Sequence, residues 1–102
     1  MSDIDWALLE KLLHGVQSVV DTPIAFDRGD PDKNRIREIQ ALVGLLVRSE
    51  LPSRNAGRTL QLVEQLKLLF EEIVGIGTRV AMKPATRQVE QALGLLRKQA
   101  TA

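Results

Sequence analysis

Apolar residues recur along the chain at spacings of three and four, the period of an amphipathic α-helix. Between Asp3 and Asp21, Ile4, Leu8, Leu9, Leu12, Leu13, Val16, Val19 and Val20 fall on one arc, with Trp6 at its edge. Glu10, Lys11, His14, Gln17, Ser18 and Asp21 take the opposite side. The arc spans roughly 200°, against the ~100° stripe of an ordinary surface helix. A first helix this wide is expected to touch neighbours on more than one side, at the centre of a bundle or against a second subunit. Ser2 or Asp3 is placed to accept from the N–H groups of its first turn, and Asp5 suits the positive end of the helix dipole.

The pattern breaks from Thr22 to Asp30, which reads as a loop pinned to the core by Ile24 and Phe26. Asp30-Pro31 is a helix-start signal, because Asp caps orphan donors and Pro is tolerated at the first helical position. The second helix then runs to about Glu50, with Ile36, Ile39, Leu42, Val43, Leu46 and Val47 as its stripe. Leu51-Pro52-Ser53 is expected to end it, since a proline disfavours the helical region for the residue before it. Ser53 or Asn55 caps a third helix from about Arg54 to Val74, with Leu62, Val63, Leu66, Leu69, Phe70, Ile73 and Val74 on its apolar face. Gly75-Ile76-Gly77 is the expected stop, although Ile76 and Val80 would keep the same face if the helix continued. A last helix starts between Pro84 and Thr86 and shows Val89, Ala92, Leu93 and Leu96 on one side; Arg97 and Lys98 suit its negative end.

No period-two alternation and no internal repeat survives inspection. The pattern predicts an all-α chain, residues 1–102 forming one domain: a small helical bundle of about four helices, three long and one shorter at the C-terminus. Three long helices with a short fourth packed across them fit the same pattern.

Composition removes much chemistry. The 102 residues include no cysteine and one histidine. A thiolate zinc site, an iron–sulfur cluster, a disulfide framework, a cysteine nucleophile and a histidine pair are all excluded. The aromatic residues are Trp6, Phe26 and Phe70, so the core is aliphatic. No apolar run approaches the ~18 residues of a membrane span, and the N-terminus has no secretory pattern. A cytoplasmic location is the expectation. Net charge is +1, but residues 1–32 carry seven carboxylates against two basic side chains, a balance of −5, leaving +6 for residues 33–102. Such segregation is compatible with pairing inside one bundle or with a basic end that meets an acidic partner or nucleic acid. Arg37, Arg48, Arg54 and Arg58 are the phosphate-contact candidates. No aromatic residue is interleaved with them, which argues against a base-stacking platform.

Other constellations fall short of a site. His14, flanked by Glu10 and Ser18, invites a phosphotransfer reading, because histidine phosphotransfer domains are four-helix bundles of this size. Their motif places Lys three and Gly four residues after the histidine; here Gln17 and Ser18 stand there. Asp27, Asp30 and Asp32 do not complete a calcium loop. Gly75-Ile76-Gly77-Thr78 lacks the glycine spacing and preceding strand of a phosphate loop. The Leu51–Leu60 stretch resembles the turn of a helix-turn-helix, but the helix before it is long and lacks the expected small residue and glycine.

Leu45, Leu68 and Leu95 are more informative. Each is a large apolar residue off the main stripe of its helix. With the wide first helix they imply surface buried by something else: a second copy, since homodimers are the commonest oligomers, or a partner's helix in a groove. The expected function is a non-enzymatic protein–protein interaction module, such as a small adaptor, chaperone or regulator, needing no cofactor or metal. A nucleic-acid-associated subunit using the basic residues of 35–58 is the alternative, and phosphotransfer through His14 a second.

Overall fold

A computed structural model of the chain describes residues 4–21, 33–74 and 83–101. All of their regular structure is helical. Helix α1 spans Trp6–Val20. Helix α2 covers 33–53 in three continuous pieces: an α segment Lys33–Leu45, a wide π turn Leu46–Glu50, and a final α turn Leu51–Ser53. Helix α3 spans Ala56–Val74 and helix α4 Lys83–Thr101. The loop expected at 22–30, the Asp30-Pro31 start, the candidate ligands Asp27, Asp30 and Asp32, and the Gly75–Thr78 segment lie outside the described residues.

The helices pack α1 against α2 and α4, and α3 against α2 and α4. Their directions follow from side-chain contacts. Gln40 Nε2 donates to the Val20 carbonyl at 2.7 Å, while Trp6 and Val47 share a recess, so α1 and α2 run antiparallel. Arg35 bonds Glu72 and Glu50 faces Arg58, so α2 and α3 run antiparallel. Gly15 meets Gln88 while Leu8 lies by Leu95, which sets α4 antiparallel to α1. The result is an up-down-up-down four-helix bundle. An antiparallel α2–α3 hairpin also differs from a helix-turn-helix, whose two helices cross at a steep angle.

Among the described residues each helix contributes five apolar residues to the buried core: Leu9, Leu12, Leu13, Val16 and Val20 from α1; Ile36, Ile39, Val43, Leu46 and Leu51 from α2; Leu62, Val63, Leu66, Phe70 and Ile73 from α3; Ala85, Val89, Ala92, Leu93 and Leu96 from α4. One expectation is corrected. The last helix is not shorter. It is 19 residues long, like α3, and begins at Lys83, because Pro84 sits in the first turn, where its missing N–H has no partner to lose. The wide arc of α1 does face neighbours on more than one side, α2 and α4. Its surplus lies at the margins, where Ile4, Trp6 and Val19 are half-buried and Leu8 is 40% exposed.

The helix ends differ from expectation in informative ways. Asp5, not Ser2 or Asp3, caps α1, its Oδ1 accepting from Leu8 N–H at 3.0 Å. Of the two candidate caps for α3, Asn55 takes the role: Asn55 Oδ1 accepts from Arg58 N–H at 3.1 Å, whereas Ser53 Oγ donates back to the Glu50 carbonyl. The second helix does not stop at Leu51. Leu51 keeps right-handed helical angles before Pro52, and the helix ends at Arg54, with φ 54° and ψ 40°.

The π turn explains how the chain passes Pro52. In an α-helix the proline ring clashes with the carbonyl four residues earlier. Here Leu51 N–H bonds the carbonyl five residues back, that of Leu46, which widens the turn before the ring. The extra residue also changes the register of the faces. In an unbroken α-helix Glu50, at i+7 from Val43 and i+4 from Leu46, would sit on the core stripe, with Leu51 about 100° away. The wide turn rotates Leu51 into the core and moves Glu50 to the edge, where it faces Arg58 at 3.9 Å.

Candidate functional site

Among the described residues an apolar margin lies open between α1 and α4. Leu8 and Leu12 from α1 and Gln91, Gly94, Leu95 and Lys98 from α4 line a groove of about 480 Å³. Its origin is in the sequence periods. On α1, Leu8 and Leu12 lie on the α4-facing edge of the wide arc; Leu12 also belongs to the core, whereas Leu8 is 40% exposed. On α4, residues 91, 94, 95 and 98 follow the i, i+3, i+4, i+7 spacing of a single face. The surroundings of the two glycines on this helix pair differ. At Gly15 the Gln88 side chain fills the space a β-carbon would take. Gly94 has no side chain, and a β-carbon built there meets nothing within 4 Å.

Gly94 is therefore unlike an ordinary packing glycine. A glycine inside a helix costs about 1 kcal/mol relative to alanine. Position 94 accepts that cost mid-helix, and no neighbour within the described chain requires it. Gly94 is exposed and lines the groove with Leu8, Leu12 and Leu95. Small residues on a helix face let a second backbone come close.

Charges of both signs surround this groove. Lys11 on α1 and Arg87 and Lys98 on α4 are exposed at helical positions on its flanks, and exposed Glu90 lies one turn before Gly94. Glu10 lines a different recess beside α2. Asp5, at the Lys98 end, turns its carboxylate to the Leu8 N–H as the cap.

A second recess, of about 280 Å³, lies between the start of α1 and the π turn, lined by Trp6, Glu10, Val47, Leu51, Pro52 and Arg54. It joins the other edge of the α1 arc to the corner where Arg54 takes its left-handed conformation.

Sequence-selected residues fall in different places. Leu95 lines the α1–α4 groove and is partly buried against the core. Leu45, 38% exposed on α2, and Leu68, 61% exposed on α3, do not line it. Arg48, Arg54 and Arg58 lie around the α2–α3 corner, while Arg37 is eleven residues from Arg48, ~16 Å along the helix axis. Arg48 Nε donates to the Gly44 carbonyl of its own helix and Arg58 faces Glu50. The ion pairs seen between helices join α2 to α3 (Arg35–Glu72, Glu50–Arg58) and α3 to α4 (Glu64–Arg97). His14 is exposed, its Nε2 lying 3.7 Å from Glu10 Oε1, a carboxylate that repels a phosphoryl group. Among the described residues no three His, Asp or Glu side chains gather as a metal site.

Sequence reasoning placed Leu8 and Leu12 inside an undivided arc and passed over Gly94. The available signal was a glycine in the middle of a helical stripe, one residue before a stray leucine. Comparison with protein-family profiles, curated proteins and solved structures finds no match. Among the described residues no helix is long and apolar enough to cross a membrane.

Proposed function

We propose that the chain is a protein-binding module that acts without catalysis, receiving a helix of a partner in the groove between α1 and α4. The supporting observation is Gly94: a helix-interior glycine with open space above it, set between exposed or half-exposed leucines of two helices. Helix-in-groove recognition uses apolar anchors at i, i+3, i+4 and i+7 laid into such a trough. The nucleic-acid reading has less behind it, because Arg58 faces a carboxylate and Arg48 turns back on its own helix.

A photo-crosslinking amino acid at position 94, with exposed position 61 of α3 as control, tests this reading in cells of the source organism. The expected result is an adduct specific to position 94, mapped by mass spectrometry to an amphipathic helix of another protein. An adduct to a second copy would assign the groove to self-association instead. Equal labelling from positions 61 and 94 would remove the groove as a binding site.

A further inference from the structure

We propose that the recess between the start of α1 and the end of α2 is a second binding site, independent of the α1–α4 groove. Its ligand is a small zwitterion with an ammonium group and a carboxylate on a short apolar body. Trp6 and Glu10, one turn apart, line the recess from α1. Val47, Leu51 and Pro52 of α2 supply apolar surface, and Arg54 stands where that helix ends. An indole beside a carboxylate suits an organic cation, which is attracted by the ring face and by the charge. A guanidinium suits a carboxylate, which it grips through two parallel N–H bonds. The volume is about 280 Å³. Pockets for drug-sized ligands start at about 300 Å³, so this ligand is smaller.

Three observations converge on this recess. Arg54 is the one non-glycine residue with positive φ among the described residues. A β-carbon is disfavoured there, glycine is the usual occupant, and strain of this kind clusters at ligand sites. The π turn Leu46–Glu50 contributes Val47 to the lining, and such turns are frequent at functional sites. The two charges of the recess are also not matched to each other. Among the described residues Arg54 makes no ion pair, and Glu10 Oε1 lies 3.7 Å from His14 Nε2, which leaves Oε2 for another donor. Neighbouring charges are engaged elsewhere: Glu50 faces Arg58, and Arg48 donates to the Gly44 carbonyl. Asp5, the cap of α1, keeps a second negative charge on the Trp6 side. A lone anion would meet Glu10 and a lone cation would meet Arg54. A ligand of both signs satisfies the two ends together.

Trp6 is the only tryptophan of the chain, so its fluorescence reports on the recess directly. The test titrates the full chain with linear amino acids of increasing length: glycine, β-alanine, γ-aminobutyrate and ε-aminocaproate. The alkylamine and the alkanoate of each length serve as singly charged controls. The expected result is a saturable change with at least one of the amino acids, about tenfold or more tighter than with either control of that length. Amide NMR shifts at Trp6, Glu10, Val47, Leu51 and Arg54 should accompany it. Arg54→Gly relieves the left-handed strain, so it should keep the fold and yet bind the zwitterion no better than the alkylamine. Glu10→Gln should bind it no better than the alkanoate. Several results overturn the proposal: no saturable change with any of the amino acids, equal or tighter binding of a singly charged control, shifts confined to other residues, or undiminished affinity in Arg54→Gly. The α1–α4 groove reading survives each of them, because none of these residues lines that groove.

Discussion

The side-chain amide of Gln88 lies over Gly15 so closely that a β-carbon at position 15 would come within 2.3 Å of its Nε2. The amide oxygen of Gln88 is buried there and has no hydrogen-bond partner among the described residues. The contact therefore fills space without satisfying that oxygen. Alanine at position 15 gains about 1 kcal/mol of helix propensity and needs only the end of a flexible side chain to swing toward water, where its oxygen finds a donor. Gly15→Ala is expected to leave stability unchanged or raise it by up to about 1 kcal/mol. Gly15→Leu should lower it by about 1–3 kcal/mol by forcing α1 and α4 apart. Urea unfolding midpoints of the two variants decide the matter.

Gly94 gives the contrasting case. Nothing stands in the way of a methyl group, so Gly94→Ala should stabilise the isolated chain by about 0.8–1 kcal/mol. For a chain of this size that is a rise in Tm of roughly 4–8 °C. The same variant should bind the groove's partner more weakly. A stabilised chain with undiminished binding would show that the glycine does not serve the groove.

Arg54 occupies the left-handed region, which costs a residue with a β-carbon roughly 1–2 kcal/mol. Glycine is the usual residue at such a helix end. Arg54→Gly is expected to stabilise the chain by about 1 kcal/mol, measured by thermal and urea unfolding. Arg54→Val, β-branched and without a polar side chain, should do the opposite.

The π turn makes an unusual deletion tolerable. Removing exposed Ser49 together with Pro52→Ala turns residues 33–53 into an unbroken α-helix in which Leu51 follows Leu46 at i+4. The core register is kept, so a folded bundle with a cooperative transition is the expected outcome. Deleting exposed Gln61 from α3, which has no such turn, rotates the residues on one side of the deletion by about 100° relative to the others. It should cost several kcal/mol through lost burial. Circular dichroism and denaturant titration of the two variants distinguish them.

Loss of the Asn55 cap offers a local test of the α2–α3 corner. Asn55→Ala leaves the Arg58 N–H without its side-chain acceptor and should cost ~1 kcal/mol. Asn55→Asp should retain most of the stability, because a carboxylate accepts the same bond and suits the helix N-terminus.

Periodicity alone determined the class of this protein. Residues such as Val43, Leu66 and Val89 recur at three and four because each helix must bury one face, and that local rule holds whatever the neighbours are. The aliphatic core, the exclusion of thiolate chemistry and the surplus of apolar residues on α1 were equally legible. Three features were decided only by tertiary packing. Glu50 and Leu51 are adjacent, and which of them enters the core depends on whether the turn before Pro52 holds four residues or five, a choice set by the proline ring and by α1 and α3 around it. Leu8, Leu12 and Leu95 belong to distant segments, and only the antiparallel pairing of α1 with α4 brings them to one groove. Gly94 reads as a weak point in a helix until the space above it is seen. A periodic sequence specifies which side of a helix is apolar. Where two such sides leave a gap is fixed by how they pack, here with the Gln88 side chain over Gly15 and open space above Gly94.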